Sequence, residues 1–554
     1  MPIRIRGFPL GMYGPVRRMR GHTKLPGKHR RAYGVKARAD GNNRRSTPLE
    51  TWPIMKHLSG VDATFLHFET TEMPMHVGSL NVLDLPEGYQ GDFYEDAKAC
   101  LAARLHLANV FTRKLALMPF DMSNPVWVED EDIDIDYHVR HITLPQPGTN
   151  RQLQQYVARL HSTLLDRSRP LWEFFIIDGL KSGQVALYTK MHHAGIDGQA
   201  GIEVGKAIFD MAATGRVVKP PRPRARRSSY QLGVAELYGA ALRNTAAQYV
   251  KVVKLLPALG RAARGLAQRG DATQKDSRSL AKRFNLLAPR TPFNVSITNQ
   301  RSFAGRTISL AETKGLARHF GVSLNDVVMG TISGALRRYL ADSNELPAKS
   351  LVAGVPVSLR EAGDSTANNQ VTGMTVSLAS DIADPVERLK QIALSSNRSK
   401  SVVNRFKPLI LDDFPMFAAP WFMSGMASLI GRSGLVNVLP PMINVAISNV
   451  QGAPFPMYFA GALVTCNYPV SIAAHGTALN VTVQSYNGRM DYGLIACRRA
   501  VPDIIEIGDY MLAEHKLLLA WMQETPPAGE AIAMPVKKPA AKAPAKRARA
   551  RATA

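Results

Sequence analysis

The densest chemistry in the chain lies in Met191-His192-His193-Ala194-Gly195-Ile196-Asp197-Gly198, which follows an alternating strand pattern and precedes a helical one. Adjacent residues on a strand point to opposite faces. His192 and His193 are therefore poorly placed to share one metal ion or one cavity; one ring faces a site and the other supports it. Gly195 and Gly198 are expected to let the chain turn and a ligand approach the backbone. A neutral imidazole can take a proton from a hydroxyl near pH 7, so the string predicts general-base chemistry. A hydrogen-bonded core histidine and a metal cluster are the competing readings. Other chemistries lack their parts. No G-x-S-x-G nucleophile elbow occurs. Gly201-Ile-Glu-Val-Gly205-Lys206 is one residue short of a phosphate-binding loop and runs into Ala207.

The elements around the string must position it. Trp172–Leu180 and Gln184–Met191 read as two strands joined by Lys181-Ser182-Gly183, and Gln199–Ala213 as a helix. Upstream, helices are expected at Tyr94–Leu107 and Gln152–Leu165. Lys219–Arg227 is a Pro/Arg linker leading to a long helical segment, about Val234–Gln268. A second mixed region starts near Pro289. It predicts helices at Leu310–Phe320 and Asn325–Leu340, the latter capped by Ser323. Strands follow at Ser350–Val357, Gln370–Leu378, Ile443–Ser448, Met457–Thr465, Asn480–Tyr486 and Met490–Ala496, and a closing helix at Pro502–Trp521. Asn487-Gly488 is a hairpin signal. The fold class is α/β with mixed sheets.

Composition bounds the rest. With 554 residues, 45% hydrophobic and 20% charged, the chain has material for several cores and is not wholly disordered. Cys100, Cys466 and Cys497 lie far apart, fit no zinc spacing or disulfide framework, and point to a reducing compartment. The net charge of +25 is unevenly spread. Residues 1–54 carry 13 Lys/Arg against 2 acids, 216–283 carry 16 against 3, and 526–554 carry 7 against 1. Acidic partners such as anionic lipid or nucleic acid can bind such segments nonspecifically. The expected domains are a disordered basic arm (1–54), a first lobe (55–215), a basic helical linker (216–288), a second lobe (289–525) and a disordered tail (526–554). No secretory signal or spanning helix is expected; Pro415 and Pro420 interrupt the best apolar run, Phe414–Gly431. That run can still lie on a membrane surface.

Several motifs occur together in order. They are Ser59-Gly-Val-Asp-Ala-Thr-Phe-Leu66, Pro74-Met-His-Val-Gly78, Asp136-Tyr-His-Val-Arg140, Pro170-Leu171-Trp172, the His-His string, Asn325-Asp326, Pro356-Val-Ser-Leu-Arg360, Gly373-Met-Thr-Val376 and Ile447-Ser448-Asn449. Over about Leu58–Leu519 the chain resembles the bacterial wax ester synthase/acyl-CoA:diacylglycerol acyltransferase family, within the chloramphenicol acetyltransferase-like superfamily. The resemblance implies two related lobes with the active site in a tunnel between them. It implies transfer of a fatty acyl group from acyl-CoA to the hydroxyl of diacylglycerol or a long-chain alcohol. Acyl-CoA is then a substrate, and neither a cofactor nor a metal is implied. His193 becomes the general base, Gly198 leaves room at the reacting groups, and Asp197 is structural. Pro170, Leu171, Trp172, Asn325, Asp326, Ser448 and Asn449 become substrate-binding or structural residues. A condensation-type acyltransferase and a lipid-granule or nucleoid-linking protein are the alternatives. The expected location is cytoplasmic, peripheral to the inner membrane face or lipid inclusions.

Overall fold

The computed structural model describes Leu58 and residues 60–116, 124–196, 198–220, 287–358, 371–406 and 433–524. Asp197, the basic helical segment at 234–268, the run at 414–431 and both tails lie outside the described residues. In chain order the elements are α1 (Gly60–Phe68), β1 (His76–Asp84), α2 (Phe93–Ala102), α3 (Asn109–Thr112), β2 (Arg113–Ala116), β3 (Val126–Glu129), α4 (Ile135–His138), β4 (Val139–Thr143), α5 (Asn150–His161), β5 (Trp172–Asp178), β6 (Val185–His192) and α6 (Gly198–Ile208). After the linker come β7 (Arg301–Ser309), α7 (Leu310–Phe320), α8 (Leu324–Asp342), β8 (Val352–Ser358), β9 (Val371–Ser377), α9 (Pro385–Phe406), β10 (Val445–Val450), β11 (Tyr458–Phe459), β12 (Ala462–Val470), β13 (Leu479–Tyr486), β14 (Arg489–Cys497) and α10 (Ile504–Glu524). The α/β class with mixed sheets follows directly, because each large sheet contains both parallel and antiparallel pairs.

Local sequence accounts for many of these elements. Thr149 and Gln152 form a capping box that starts α5, and Ser323 and Asp326 form another that starts α8. Gly321, in the left-handed region, ends α7. Asn487 and Gly488 both take positive φ, 41° and 78°, and turn β13 into β14 through a two-residue hairpin. Strands β5 and β6 are apolar along nearly their whole length, and they lie buried inside a sheet covered on both faces.

One sheet has the order β11-β12-β1-β6-β5-β4 and the other β7-β14-β13-β10-β8-β9. The two expected lobe segments do not stay apart. Strands β11 and β12, from the 289–525 segment, complete the first sheet by pairing β12 antiparallel with β1. A strand's own pattern says which face it buries, not which partner it takes, so this exchange is invisible in the sequence. The sheets meet where β12 passes over β14: a Cβ on Gly493 would lie 1.6 Å from the Pro469 carbonyl oxygen, so only glycine fits. Helices α7 to α10 cover the second sheet, whose core runs from Phe293 through Ile332, Val376 and Val481 to Met511.

Candidate active site

The two histidines are held quite differently. His192 is the last residue of β6, fully buried, opposite His76 of β1. Its backbone N–H donates to the Leu171 carbonyl, 3.0 Å away, and its ring Nδ1 accepts from the Ala194 N–H at 3.1 Å. An accepting Nδ1 places the ring proton on Nε2. That nitrogen faces Glu69 Oε1 at 3.3 Å. A second ring proton would collide with the Ala194 N–H, so His192 is unsuited to accept one during a reaction.

His193 starts the turn that follows. Its N–H donates to the Met75 carbonyl at 2.9 Å, which extends the β1–β6 pairing past the end of the sheet. Its half-buried ring stacks flat on Phe65 of α1, with centroids 3.9 Å apart and planes 10° apart. Around the pair lie the buried side chains of Leu66, Leu115, Leu171 and Ala194, with Trp127 beside them. Phe65 also touches a second apolar cluster, Met73, Met75, Ile297 and Cys497, drawn from both halves of the chain. The imidazole expected to act as base thus sits among apolar groups where the halves meet.

The turn's glycine differs from expectation. Gly195 has no positive φ, and an added Cβ would make only ordinary contacts of 3.5 Å with Trp127 and Val110. The close approach that does demand glycine is at Gly78 of β1, where a Cβ would fall 1.8 Å from the Thr189 carbonyl oxygen of β6. Gly198 opens α6.

Pro170, Leu171 and Trp172 lead into β5 beside the histidines. Leu171 packs on Ala194 and its carbonyl receives His192 N–H. The buried Trp172 indole donates to the Phe111 carbonyl at 3.1 Å and stacks on His138. Pro170 borders a charged cleft of about 630 Å³ walled by Lys114, Asp130, Asp134, His138 and Arg169. Asn325, Asp326, Ser448 and Asn449 belong to the second sheet and its helices. Asp326 receives the Ser323 N–H and hydroxyl at 2.9 and 2.6 Å, a helix-capping role. Asn449 Nδ2 donates to Asn325 Oδ1 at 3.4 Å, and Ser448 precedes Asn449 on β10.

Sequence reasoning passed over Phe65 as a site residue and Glu69 altogether. Glu69 lies just beyond α1. Its buried carboxylate accepts from Arg167 at 2.7 Å and from the Met75 N–H at 3.0 Å. Burial alone would raise this carboxyl; His192, Arg167 and the Met75 N–H outweigh it and hold it down to about 2. Only the four-residue offset from Phe65, one helical turn, signals that both serve the same neighbours. Behind β6 lies a further buried polar layer. His76 Nε2 donates to the His161 carbonyl, the Tyr188 hydroxyl bonds His161 Nδ1, and the Lys190 ammonium bonds Glu173. Burial holds both His76 and His161 below the usual histidine range, His161 at about 3. Among the described residues no group of three His, Cys, Asp or Glu side chains is placed to hold a metal ion.

Comparison with known proteins agrees with this architecture. The family model described as the wax ester synthase/diacylglycerol acyltransferase catalytic domain matches residues 58–328, and that of the WS/DGAT C-terminal domain matches 367–518. A Mycobacterium tuberculosis protein named as a diacylglycerol O-acyltransferase is 35% identical over 449 residues, 80% of this chain and 94% of its own. The O-acyltransferase WSD of Acinetobacter baylyi is 33% identical over 470 residues, 84% of this chain and 97% of its own. The structure of the wax ester synthase/diacylglycerol acyltransferase of Marinobacter aquaeolei covers 84% of this chain and all of its own, with a TM-score of 0.60 and 30% identity. The first condensation domain of the calcium-dependent antibiotic synthetase shares the fold at a TM-score of 0.50 and 14% identity, over 86% of this chain and 98% of that one. Fold and relatives define an acyltransferase. The chain belongs to the wax ester synthase/diacylglycerol acyltransferase family.

Proposed function

We propose that the protein moves a long-chain fatty acyl group from acyl-CoA to the hydroxyl of diacylglycerol or a long-chain alcohol, with His193 as general base. The observation that supports this reading most directly is the contrast at the turn: His192 is fully enclosed, with Nδ1 on the Ala194 N–H and Nε2 facing the Glu69 carboxylate, whereas the half-buried His193 stacks on Phe65 beside apolar side chains from both halves of the chain. In the proposed reaction His193 takes the hydroxyl proton and the alcohol oxygen attacks the thioester carbonyl. The tetrahedral adduct collapses, the C–S bond breaks, and His193 returns the proton to the departing thiolate of coenzyme A. The products are an ester and free coenzyme A. The thioester is already activated, so holding both substrates together and a base worth roughly 10²–10⁴ in rate supply the protein's share.

In this reading Asp197 is structural and Gly198 leaves room near the reacting groups. Apolar acceptors must arrive from a lipid surface, although no described helix is long and apolar enough to cross a membrane. Peripheral binding at a membrane or lipid inclusion on the cytoplasmic side, aided by the basic segments, fits that need. Nucleic acid would bind only nonspecifically through the tails.

The test is purified protein with radiolabelled palmitoyl-CoA and either hexadecanol or diacylglycerol, with products resolved by thin-layer chromatography. Labelled wax ester or triacylglycerol is expected. Label released only as free fatty acid would overturn the reading.

A further inference from the structure

We infer that Glu69 is a positioning residue that sets the reactive pose of His193 by clamping both backbone segments flanking it. The inference rests on His193 acting as the base. Glu69 Oε1 accepts the N–H of Met75, and the carbonyl of that same residue receives the His193 N–H. Oε1 also faces His192 Nε2, and the opposite nitrogen of that ring receives the N–H of Ala194. One carboxylate oxygen therefore reaches the residue that pins His193 on one side and the residue after it on the other. Arg167 holds the second oxygen through two nitrogens, 2.7 and 3.2 Å away, and is itself anchored on the Leu66 carbonyl at 3.0 Å.

The arrangement favours a positioning role over plain packing for two reasons. First, the carboxylate is 98% shielded on its side chain yet has partners on both oxygens, so it is a fixed point. Second, the charge selects a tautomer. An acceptor at His192 Nε2 keeps the ring proton there, which leaves Nδ1 free to accept from Ala194. Replace that acceptor by a donor and the proton can shift to Nδ1, the Ala194 bond is lost, and the turn bearing His193 loosens. Helix α1 would then still stack Phe65 on the ring, but on a base no longer fixed in direction. Misplacing a reacting group by about 1 Å costs on the order of 100-fold.

Glu69→Gln tests this, because the Arg167 guanidinium, a donor only, keeps the amide oxygen on its side, and the NH₂ group then takes the place of the one oxygen that served both Met75 N–H and His192 Nε2. Turnover is measured alongside His193→Ala, with folding followed by circular dichroism and melting. The His192 tautomer is read from the ¹⁵N shifts of the ring. The expected result is kcat about 10- to 100-fold lower, KM for both substrates within about twofold, loss of the pure Nε2–H signature, and partial recovery of kcat in Glu69→Asp. A folded Glu69→Gln protein with normal kcat, or one with the Nε2–H signature intact, overturns the inference. If Glu69→Gln does not fold, Arg167→Gln decides, since its side chain is 37% exposed and can change without opening the core. A severalfold fall in kcat at unchanged KM supports the clamp, and wild-type kcat overturns it. An active His193→Ala protein would instead sink the base assignment on which the clamp depends.

Discussion

Two neighbouring histidines, 192 and 193, share a residue type and almost nothing else. The first is fully enclosed, with a backbone N–H on one ring nitrogen and a carboxylate facing the other. The second is half-buried and held through its backbone and a stacked phenyl ring. The end of a strand makes this possible. Up to His192 the sheet dictates direction; one residue later the turn lays the ring of His193 on Phe65, beside side chains from both halves. The difference between the two lies in how far each ring is enclosed, not in the imidazole itself.

The contrast can be broken from either side. The largest effect is expected from His193→Ala: acyl transfer falls by roughly 10²–10⁴ while the melting temperature stays near wild type. His192→Ala should show the opposite balance. It strands the Ala194 N–H in a closed core, at about 1–3 kcal/mol for the unpaired group, so urea denaturation should show the main loss. A His192→Ala protein as stable as wild type would mean its ring contacts carry little weight.

Phe65→Ala sharpens the comparison from the open side. The stacked ring can stabilise the imidazolium formed when His193 accepts a proton, a contact worth roughly 1–2 kcal/mol. Turnover should fall about tenfold, with Phe65→Tyr close to wild type. The smallest effect concerns the closed side and acid. Buried His161, held at about 3, stays neutral in the fold, while the unfolded chain protonates its histidines from about 6.5 downward. The unfolded state then binds more protons, so stability declines as pH falls from about 6.5 towards 3. His161→Gln should be less stable at pH 7.5 and should lose less stability across that window, as followed by thermal melts.

Much of the fold can be read from the residues. The β5–β6 pair, the Asn487-Gly488 hairpin and the Leu310–Phe320 helix each carry a strong local signal, and each forms within a few residues of its expected place. Helix α9 carries no such signal because Ser395-Ser396-Asn397-Arg398-Ser399-Lys400-Ser401 dilutes its apolar stripe. Strand β1 mixes Gly78, Ser79 and Asn81 into its apolar run and is recognisable only from its partners. At the site, the His-His string is legible because two rare residues sit together after a strand. Glu69 is not, since a single glutamate between two motifs looks like any exposed acid until Arg167, Met75 and His192 close around it. The reading of Asn325 and Asp326 as substrate or capping residues separates in space. Asp326 caps α8, and Asn325 meets Asn449.

The order in which a ribosome releases this chain bears on strand β12. His192 emerges on β6 and pairs with β1, but the far side of β1 is filled by residues 463–470, which are made only after a further 270 residues. Until then a nascent chain holds β1 with one row of backbone N–H and C=O groups bare, an edge that invites pairing with other chains. The two histidines are therefore made early and housed late. A message truncated anywhere between codons 199 and 462 would yield a polypeptide that carries the whole His-His motif and lacks the strand that shields it.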